Sequence, residues 1–195
     1  YLTKPDIQNS KRMIDLGEII DFNIPIKNLL VFLEPIKNKD YNHTKSKNQE
    51  YTSNCSNLSF FFDSIEQSIT IENLALITHQ RVLMKFTQEC LLKFFRIFYN
   101  PLNKIQSLVL LNIDFQDSDL SKFKELFRVA KLKHFVYQPT WPNDFILMQI
   151  TSAIKFSKTL ELVVFFHGKK CSDEQIEVSK IELMNVPNIK KVYFE

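Results

Sequence analysis

Glycine is almost missing from this sequence, which has only 2 glycines among 195 residues. Phosphate-binding loops need several glycines close together, so neither a P-loop nor a dinucleotide-binding loop is predicted. The three cysteines, Cys55, Cys90 and Cys171, lie far apart and form no C-x-x-C pair. They indicate neither a disulfide framework nor a zinc site. We therefore expect no metal or other cofactor, and an intracellular location in cytoplasm or nucleus.

The sequence also lacks an excess of either charge and lacks long apolar runs. Its 25 basic and 22 acidic side chains give a net charge of +3, too little to predict a nucleic-acid or membrane partner. No apolar run approaches the roughly 18 residues that span a bilayer. Asn42, Asn54 and Asn57 begin glycosylation patterns, but about two such matches are expected by chance in an Asn-rich and Ser-rich chain. We expect a protein that is not secreted.

What the sequence does contain is an apolar pattern that recurs in its second half. The first clear copy is Ile105-x-x-Leu108-x-Leu110. Further copies begin at Leu132, Leu160 and Ile189, so the starts lie 27, 28 and 29 residues apart (132−105, 160−132, 189−160). Weaker copies begin at Ile71 and Ile26. A period of this kind predicts stacked repeats, each of which buries its apolar side chains against its neighbours.

Helical patterns alternate with these copies. Helical spacing extends from Gln80 to Tyr99, where Asn100-Pro101 is expected to end the helix. Further helices are predicted to start at residues 118–119, 142–144 and 172–173, which supply capping side chains. The last of them is expected to bury one apolar face, composed of Ile176, Val178, Ile181 and Met184. Alternating strands and helices predict a parallel sheet with right-handed crossovers.

Composition divides the chain into three parts. Residues 1–36 are predicted to hold an N-terminal helix and a degenerate first repeat, with a strand at 28–33. Residues 37–56 have almost no aliphatic side chains and are expected to be a polar loop or linker. Residues 57–195 form the repeat region, in which the apolar runs at 57–65 and 68–77 have strand length. The chain starts at Tyr1 and ends on a strand, so we expect the stack to continue further or to dock on another chain.

The L-x-x-L-x-L core and its 27–29 residue period resemble the leucine-rich repeat family, specifically its ribonuclease-inhibitor-like members with a helix in each repeat. The resemblance covers residues 71–195. It implies an α/β solenoid, a horseshoe with a parallel sheet and with helices on the convex side. The sequence departs from the family at the asparagine or cysteine position that follows each core. His79, Ile113, Thr140 and Gly168 occupy that position, which indicates an irregular member.

The resemblance also implies which side chains face a partner. In that family the first, fourth and sixth core positions point inward, and the positions between and after the strand leucines line the concave surface. The positions carried over in this way are Ala75, Ile77, Val109, Leu111, Val136, Gln138, Val164, Phe166 and Tyr193. Contiguous apolar patches usually mark protein interfaces. We therefore expect a non-enzymatic structural or adaptor subunit that binds other protein subunits of a larger assembly.

Two alternatives remain open at this point. A ribonucleoprotein subunit could contact RNA through basic loop residues, since phosphates attract clustered cations. The lysines available for this are Lys37, Lys39, Lys45 and Lys47. A degenerate, doubly wound α/β enzyme would instead bury both faces of each strand.

Residues that could carry chemistry are few. Asp114, Asp117 and Asp119 follow a strand, and we interpret them as loop and helix-capping residues rather than as a metal or acid/base site. His134 and His167 flank strands without a nucleophile at a motif spacing. Lysines near Cys171 could lower the pKa of its thiol, although a solvated turn is the simpler interpretation. No catalytic residue is predicted.

Overall fold

The computed structural model describes residues 26–33, 50–52, 56–78, 83–85, 88–115, 117–168 and 170–195, without the side chains of residues 50–52, 56–57, 83–85 and 117–118. Strands and helices alternate along this part of the chain. The strands are β1 (Asn28–Leu33), β2 (Glu50–Thr52), β3 (Asn73–Thr78), β4 (Leu83–Lys85), β5 (Ser107–Leu111), β6 (His134–Gln138), β7 (Leu162–Phe165) and β8 (Lys191–Phe194). The helices are α1 (Ser56–Gln67), α2 (Gln88–Tyr99), α3 (Asp117–Val129), α4 (Asp144–Ile154) and α5 (Asp173–Met184).

Six of these strands form one parallel sheet, in the order β1-β3-β5-β6-β7-β8. This order follows the chain without any reversal, and each helix packs beside the next one. Successive right-handed crossovers in one direction leave all their helices on the same face of a sheet. The doubly wound alternative requires a reversal of strand order, which the described strands do not have. The prediction of an alternating α/β fold with a parallel sheet is confirmed.

The strands bury only one of their two faces, because successive side chains of a strand point to opposite sides. In β5, Leu108 and Leu110 are fully buried, whereas the alternating Val109 and Leu111 are only half-buried. The same alternation appears in β3, β6 and β7. The buried positions are those that the repeat pattern assigns to the interior. They contact the helices, and together they form one continuous core.

An aromatic row passes through this core from unit to unit. Phe94 lies 6.2 Å from Phe115, and Phe115 lies 6.1 Å from Tyr137, measured between ring centroids. Tyr137 contacts Phe165 at 5.7 Å, and Phe165 contacts Phe194 at 6.3 Å. Such pairs contribute roughly 0.5–1.5 kcal/mol each beyond the area that they bury. The row therefore couples every unit from α2 to β8.

One segment predicted as a strand is a helix. Residues 57–65 have a continuous aromatic run, Phe60 to Phe62, which suggested a buried strand. In the structure they belong to α1, and Leu58, Phe61, Phe62 and Ile65 are buried while Phe60 is exposed. These buried positions are spaced by three and four residues, which is the period of a helix facing a core. The helical period therefore determines the structure here.

The segment between β1 and α1 and the segment between β3 and α2 each contain one additional strand. The helix expected from Gln80 begins only at Gln88, and residues 83–85 form β4 instead. This strand pairs in parallel with β2, at residues 50–52 of the segment expected to be a polar loop. At three residues each, these strands are too short for an alternating pattern to reveal them. The remaining residues of 37–56, apart from Ser56 in α1, lie outside the described part, as does the helix expected before residue 26.

The apolar face predicted for α5 is wrong except at Ile176, which is partly buried against the core. Val178, Ile181 and Met184 are 43%, 53% and 58% exposed, whereas Ser179 and Leu183 are buried. Ser172 caps the start of the helix by accepting a hydrogen bond from the Gln175 amide. Ser172 in turn donates hydrogen bonds to Asp144 of the preceding helix, from its backbone N–H at 2.7 Å and from its hydroxyl at 2.8 Å. The side of α5 that faces the core carries Ile176, Ser179 and Leu183, which are spaced by three and four residues, so Val178, Ile181 and Met184 face outward.

A buried asparagine links the middle units. Asn112 follows β5 with φ of 58°, a left-handed conformation that asparagine tolerates better than most residues. Its side-chain amide donates to the Thr78 carbonyl at 3.0 Å, and its backbone N–H donates to the Gln138 carbonyl at 2.7 Å. Its own carbonyl accepts from the hydroxyls of Thr78 and Thr140. This network lies one residue before the position, at Ile113, where the repeat pattern placed an asparagine.

The helices of this fold are short. The longest one described is α3, with 13 residues, which corresponds to about 20 Å at 1.5 Å per residue. A bilayer has a hydrocarbon core of about 30 Å. None of the described helices combines the length and the apolar character needed to cross a membrane.

Alanine substitutions at adjacent positions of β5 test the one-sided burial. Leu108→Ala is expected to lower the free energy of unfolding by about 2–5 kcal/mol, because it leaves a cavity in the core. Val109→Ala is expected to lower it by less than about 1 kcal/mol, since this side chain is half-buried outside the core. Urea denaturation measures both values. Equal losses would mean that both faces of the sheet are covered.

Substitution of Asn112 tests the network between units. Asn112→Gly keeps the left-handed backbone accessible and removes only the side-chain hydrogen bond, at a cost of about 1–2 kcal/mol. Asn112→Ala is expected to cost about 1 kcal/mol more, because alanine is strained at this φ. Thermal and urea unfolding of the two variants provide the comparison. If alanine were as stable as glycine, backbone strain would not contribute at this position.

Candidate functional site

The helix-free side of the six-stranded sheet carries an apolar surface, which we call the open face. It includes all nine side chains expected to face a partner, and it adds Leu30 and Phe32 of β1. The open face comprises Leu30, Phe32, Ala75, Ile77, Val109, Leu111, Val136, Gln138, Val164, Phe166 and Tyr193. Leu30 and Phe32 could have been found from the sequence, because they hold the same places in the weak copy that begins at Ile26.

Strand register joins these side chains into continuous rows. Leu30 pairs with Ala75, and the row continues through the central valines to Tyr193 at the far edge. A second row runs from Phe32 through Ile77 and Leu111 to Gln138. Phe166 extends this second row, because its backbone N–H donates to the Tyr137 carbonyl at 3.0 Å and so continues the ladder beyond β7. The predicted residues therefore lie side by side on one surface.

Exposure is greatest at the two ends of the open face. Leu30 and Phe32 are 38% and 40% exposed, and Tyr193 is 46% exposed. The central positions are half-buried, because strands only about 4.8 Å apart shield the sides of each other's side chains. Their tips remain uncovered by any helix in the described part of the chain. The residues of the open face are uncharged, with Gln138 as the polar member, and the exposed Glu195 lies beside Phe166 at the end of the second row, where its backbone N–H donates to the Phe165 carbonyl at 3.0 Å.

Mostly polar side chains border this apolar surface where the strands begin. This border consists of Asn28, Asn73, Ser107, His134, Leu162 and Lys191, of which only Leu162 is apolar. Two of these residues are joined, since the Asn73 amide donates to the Asn28 side-chain oxygen at 2.6 Å. An apolar centre with a polar margin is the usual anatomy of a protein-protein interface.

Asp114 and Asp119, which follow β5, take part in hydrogen bonds and an ion pair within the fold. Asp114 accepts hydrogen bonds from the backbone N–H groups of Thr140 at 2.8 Å and Trp141 at 3.4 Å, which ties together the loops after β5 and β6. Asp119 is buried in α3 and forms an ion pair with Lys122 at 3.7 Å. The Asp117 side chain lies outside the described part. Within that part, no three His, Cys, Asp or Glu side chains are grouped so that they could hold a metal ion.

The two histidines singled out in the sequence are not brought together. His134 begins β6 and pairs in register with Leu162. His167 lies five residues after Leu162, beyond the end of β7. Its ring centroid is 6.5 Å from the ring centroid of Phe194. A strand advances about 3.3 Å per residue, so roughly 16 Å of strand separates the two positions. They are too far apart to act as a catalytic pair.

Two other ionisable groups are kept neutral by their surroundings. The Tyr137 hydroxyl is fully buried, and this burial, together with the nearby Asp114 carboxylate, raises its pKa well above the ordinary value. Burial also raises the pKa of the Cys171 thiol to about 11, with a further contribution from the Asp144 carboxylate. The possibility that lysines lower the Cys171 pKa is therefore wrong. A thiol with such a pKa is a poor nucleophile at neutral pH.

The basic residues considered for RNA contact cannot be placed. Lys37, Lys39, Lys45 and Lys47 lie outside the described residues. Among the described residues of the six-stranded sheet, Lys191 is the one lysine, and it lies exposed at the polar border together with His134. No family model matches this chain, and no curated protein matches it either. A function is therefore inferred from the open face itself.

Alkylation of Cys171 tests its protected environment. At pH 8 a thiol of pKa about 11 is ionised roughly 100-fold less than one at its ordinary value of 9.0, and the thiolate is the reactive form. We expect iodoacetamide to modify Cys171 at least about 100-fold more slowly in the folded protein than in urea at the same pH. Mass spectrometry of the peptide containing Cys171 measures both rates. Equal rates would show that the thiol is accessible and ordinary.

Proposed function

We propose that this protein is a non-enzymatic structural or adaptor subunit that binds other protein subunits of a larger assembly through the open face. The observation that carries this proposal is the uninterrupted apolar row from Leu30 to Tyr193, which crosses all six strands without a covering helix among the described residues. Apolar surface of this extent is unfavourable in water, and burial against a partner removes it from water.

The size of the open face fits the centre of an interface. Six strands spaced by about 4.8 Å extend over roughly 24 Å, and the two rows cover roughly 12 Å along the strands, or about 300 Å² in total. A typical specific interface buries about 800 Å² on each partner. The open face supplies the apolar core of such an interface. The bordering asparagines, Ser107, His134 and Lys191 would then contribute to its polar rim.

The chemistry of the open face favours protein over nucleic acid as the partner. A phosphate backbone is bound by several lysines or arginines, each of which replaces a counterion. The open face contains no lysine or arginine, and Lys191 lies only at its border. Its valine, leucine and phenylalanine side chains instead match an apolar stripe on another protein.

We further infer that the sheet and its helices form a divergent leucine-rich-repeat-like solenoid, with the open face as its concave side. Three observations support this inference: the sequential strand order, the packing of consecutive helices and the burial of the first, fourth and sixth positions in the four copies that begin at Ile71, Ile105, Leu132 and Leu160. An intracellular location, in cytoplasm or nucleus, belongs to the same proposal. It is supported by Cys171, which is free and buried.

Charge substitution on the open face tests the proposed function. Phe166→Asp is expected to weaken partner binding at least about tenfold, because association would bury an unpaired carboxylate. Its circular dichroism spectrum should remain that of the wild type, since Phe166 lies outside the core. Met148→Asp on α4 is the matched control, as Met148 is a similarly apolar side chain exposed on the helical side.

The comparison uses affinity purification from the native source with tagged wild-type and variant chains. Subunits that co-purify with the wild type and with Met148→Asp should be lost with Phe166→Asp. Unchanged recovery with all three chains would contradict binding through the open face. If Phe166→Asp unfolded the protein, Phe166 would belong to the core and its assignment to the open face would be wrong.

A further inference from the structure

The charges of this protein are segregated between the two ends of its strands. The segments that lead from a helix into the next strand of the sheet hold mostly lysines. Their charged residues are Lys104, Lys131, Lys133, Lys155, Lys158 and Lys190, against Glu72 and Glu161. The described loops and first helical turns at the other end of the strands are mainly acidic, with Asp114, Asp119, Asp144, Asp173 and Glu174. The small net charge of +3 therefore conceals one strongly basic region.

Some of these lysines have an obvious structural role. Lys27 and Lys190 form ion pairs with the two glutamates, and Lys155 pairs with Glu182 of α5. The lysines that remain form no ion pair with any described residue, and all are exposed: Lys104, Lys131, Lys133 and Lys158.

Stabilisation of helix ends does not account for these unpaired lysines. A cation stabilises the end of a helix only within about the last turn. Lys104 lies five residues beyond the end of α2, and Lys158 lies four residues beyond the end of α4 (104−99, 158−154). Their charges are therefore available to an anion from outside the protein.

Hydrogen bonds hold the lysine-bearing segments side by side. Lys131 donates from its Nζ to the Pro101 carbonyl at 3.1 Å, which joins the segment after α3 to the segment after α2. The Thr159 hydroxyl donates to the Leu132 carbonyl at 2.8 Å, which joins the segment after α4 to the segment after α3. Neighbouring strands lie about 4.8 Å apart and packed helices about 8–10 Å apart, so lysines of successive segments are separated by roughly 5–10 Å. They form a line, and the ammonium group of Lys131 keeps further donors for a second acceptor.

Two exposed aromatic rings belong to the same line. Tyr99 ends α2 and Phe156 follows α4, and they are 43% and 42% exposed. Both contact α3, which lies between them. Lys124 of α3 places its Nζ 4.3 Å from the centroid of the Phe156 ring. Partial burial and then the charge of Glu125 on α3 raise the pKa of Tyr99. The two rings therefore flank the lysines that follow α3.

We propose that these lysines and rings bind a single-stranded nucleic acid. We call Lys104, Lys131, Lys133 and Lys158, together with Tyr99 and Phe156, the basic strip. Its lysines would contact successive phosphates, and bases would stack on its two rings. Every base has a flat face, so binding of this kind needs no particular nucleotide sequence. The strip extends over three units and suits about four nucleotides, the lower end of the usual site sizes.

The arrangement of the basic strip favours this ligand over other anionic partners. A bilayer presents a plane of charge, whereas these groups form a single line. An acidic protein would neutralise the lysines but would not require exposed rings beside them. The basic strip is also distinct from the open face, since Lys131 and Lys158 lie five and six residues before Val136 and Val164 (136−131, 164−158).

Fluorescence anisotropy of the purified protein with labelled oligouridylate and oligothymidylate tests the proposal. Four lysine-phosphate contacts on a single strand give a slope of log affinity against log salt of about −2.8 (0.7 × 4). We therefore expect both oligomers to lose at least about 50-fold in affinity between about 50 and 200 mM KCl. Tighter binding of oligouridylate would identify RNA as the preferred form. No binding of either oligomer at about 100 μM protein and about 50 mM KCl would overturn the proposal.

A double variant, Lys131→Ala with Lys158→Ala, tests whether the basic strip supplies the cations. It should reduce the salt slope by about 1.4 (0.7 × 2), because two phosphate contacts are lost. Lys180→Ala is the control, since Lys180 is an exposed lysine in the middle of α5 and away from the strip. An unchanged slope in the double variant would mean that phosphates are bound elsewhere, and the proposal would fail.

Substitution of Phe156 tests the stacking component. Phe156→Leu keeps an apolar side chain but removes the ring, and it should weaken binding about tenfold without changing the salt slope. Phe145→Leu is the matched control, because Phe145 is also 42% exposed but lies at the opposite end of α4. Equal affinities of these two variants would reduce the strip to a general anion surface. Association with phosphatidylserine vesicles but with neither oligomer would favour a membrane instead. Either result would contradict a single-stranded nucleic acid as the ligand.

These measurements are independent of the proposed partner binding, because they use the purified chain alone. Phe166→Asp alters the open face and should bind the oligomers within about twofold of the wild type, since it leaves the phosphate contacts intact. The double lysine variant should still recover partner subunits from nuclease-treated extracts. Failure of oligomer binding would therefore leave partner binding through the open face intact, and failure of partner capture would leave the basic strip intact.

Discussion

A single layer of apolar side chains, packed between the sheet and its helices, holds this protein together. Each strand of the six-stranded sheet contributes alternate residues to that layer, and each described helix covers it from the same side. The aromatic row from Phe94 to Phe194 joins the layer across unit boundaries. Because a strand has two faces and the helices cover only one, the intervening side chains form a second surface. The open face is thus a geometrical consequence of how the core is built.

The repeated core was predictable from the sequence because it obeys one simple rule. Positions one, four and six of each copy must point inward, and that spacing is visible wherever Leu, Ile, Phe or Tyr occupies them. The strands at β1, β5, β6, β7 and β8 follow from it, as do the starts of α4 and α5 at their capping residues. The open-face residues are the positions left between these inward residues. Their role in binding stays a prediction.

The departures have separate physical causes. In α1, three consecutive phenylalanines conceal the helical period, and only their different burial reveals it. In α5, the side that packs on the core carries Ile176, Ser179 and Leu183, so Ser179 is buried and Ile181 is not. Strands β2 and β4 have only three residues each, too few for a recognisable alternating pattern. Asn112 was missed because its network depends on a left-handed backbone conformation one residue away from the expected position.

The most direct test of this account is methyl NMR in the presence of a soluble paramagnetic probe. The probe enhances the relaxation of methyl groups that solvent reaches. The account predicts strong enhancement for Val109, Val136 and Val164 on the open face, and weak enhancement for Leu108, Leu110 and Val163 in the core. Addition of a binding partner should then protect only the first set. Equal protection of both sets in the isolated protein would contradict the one-sided sheet from which the proposed function follows.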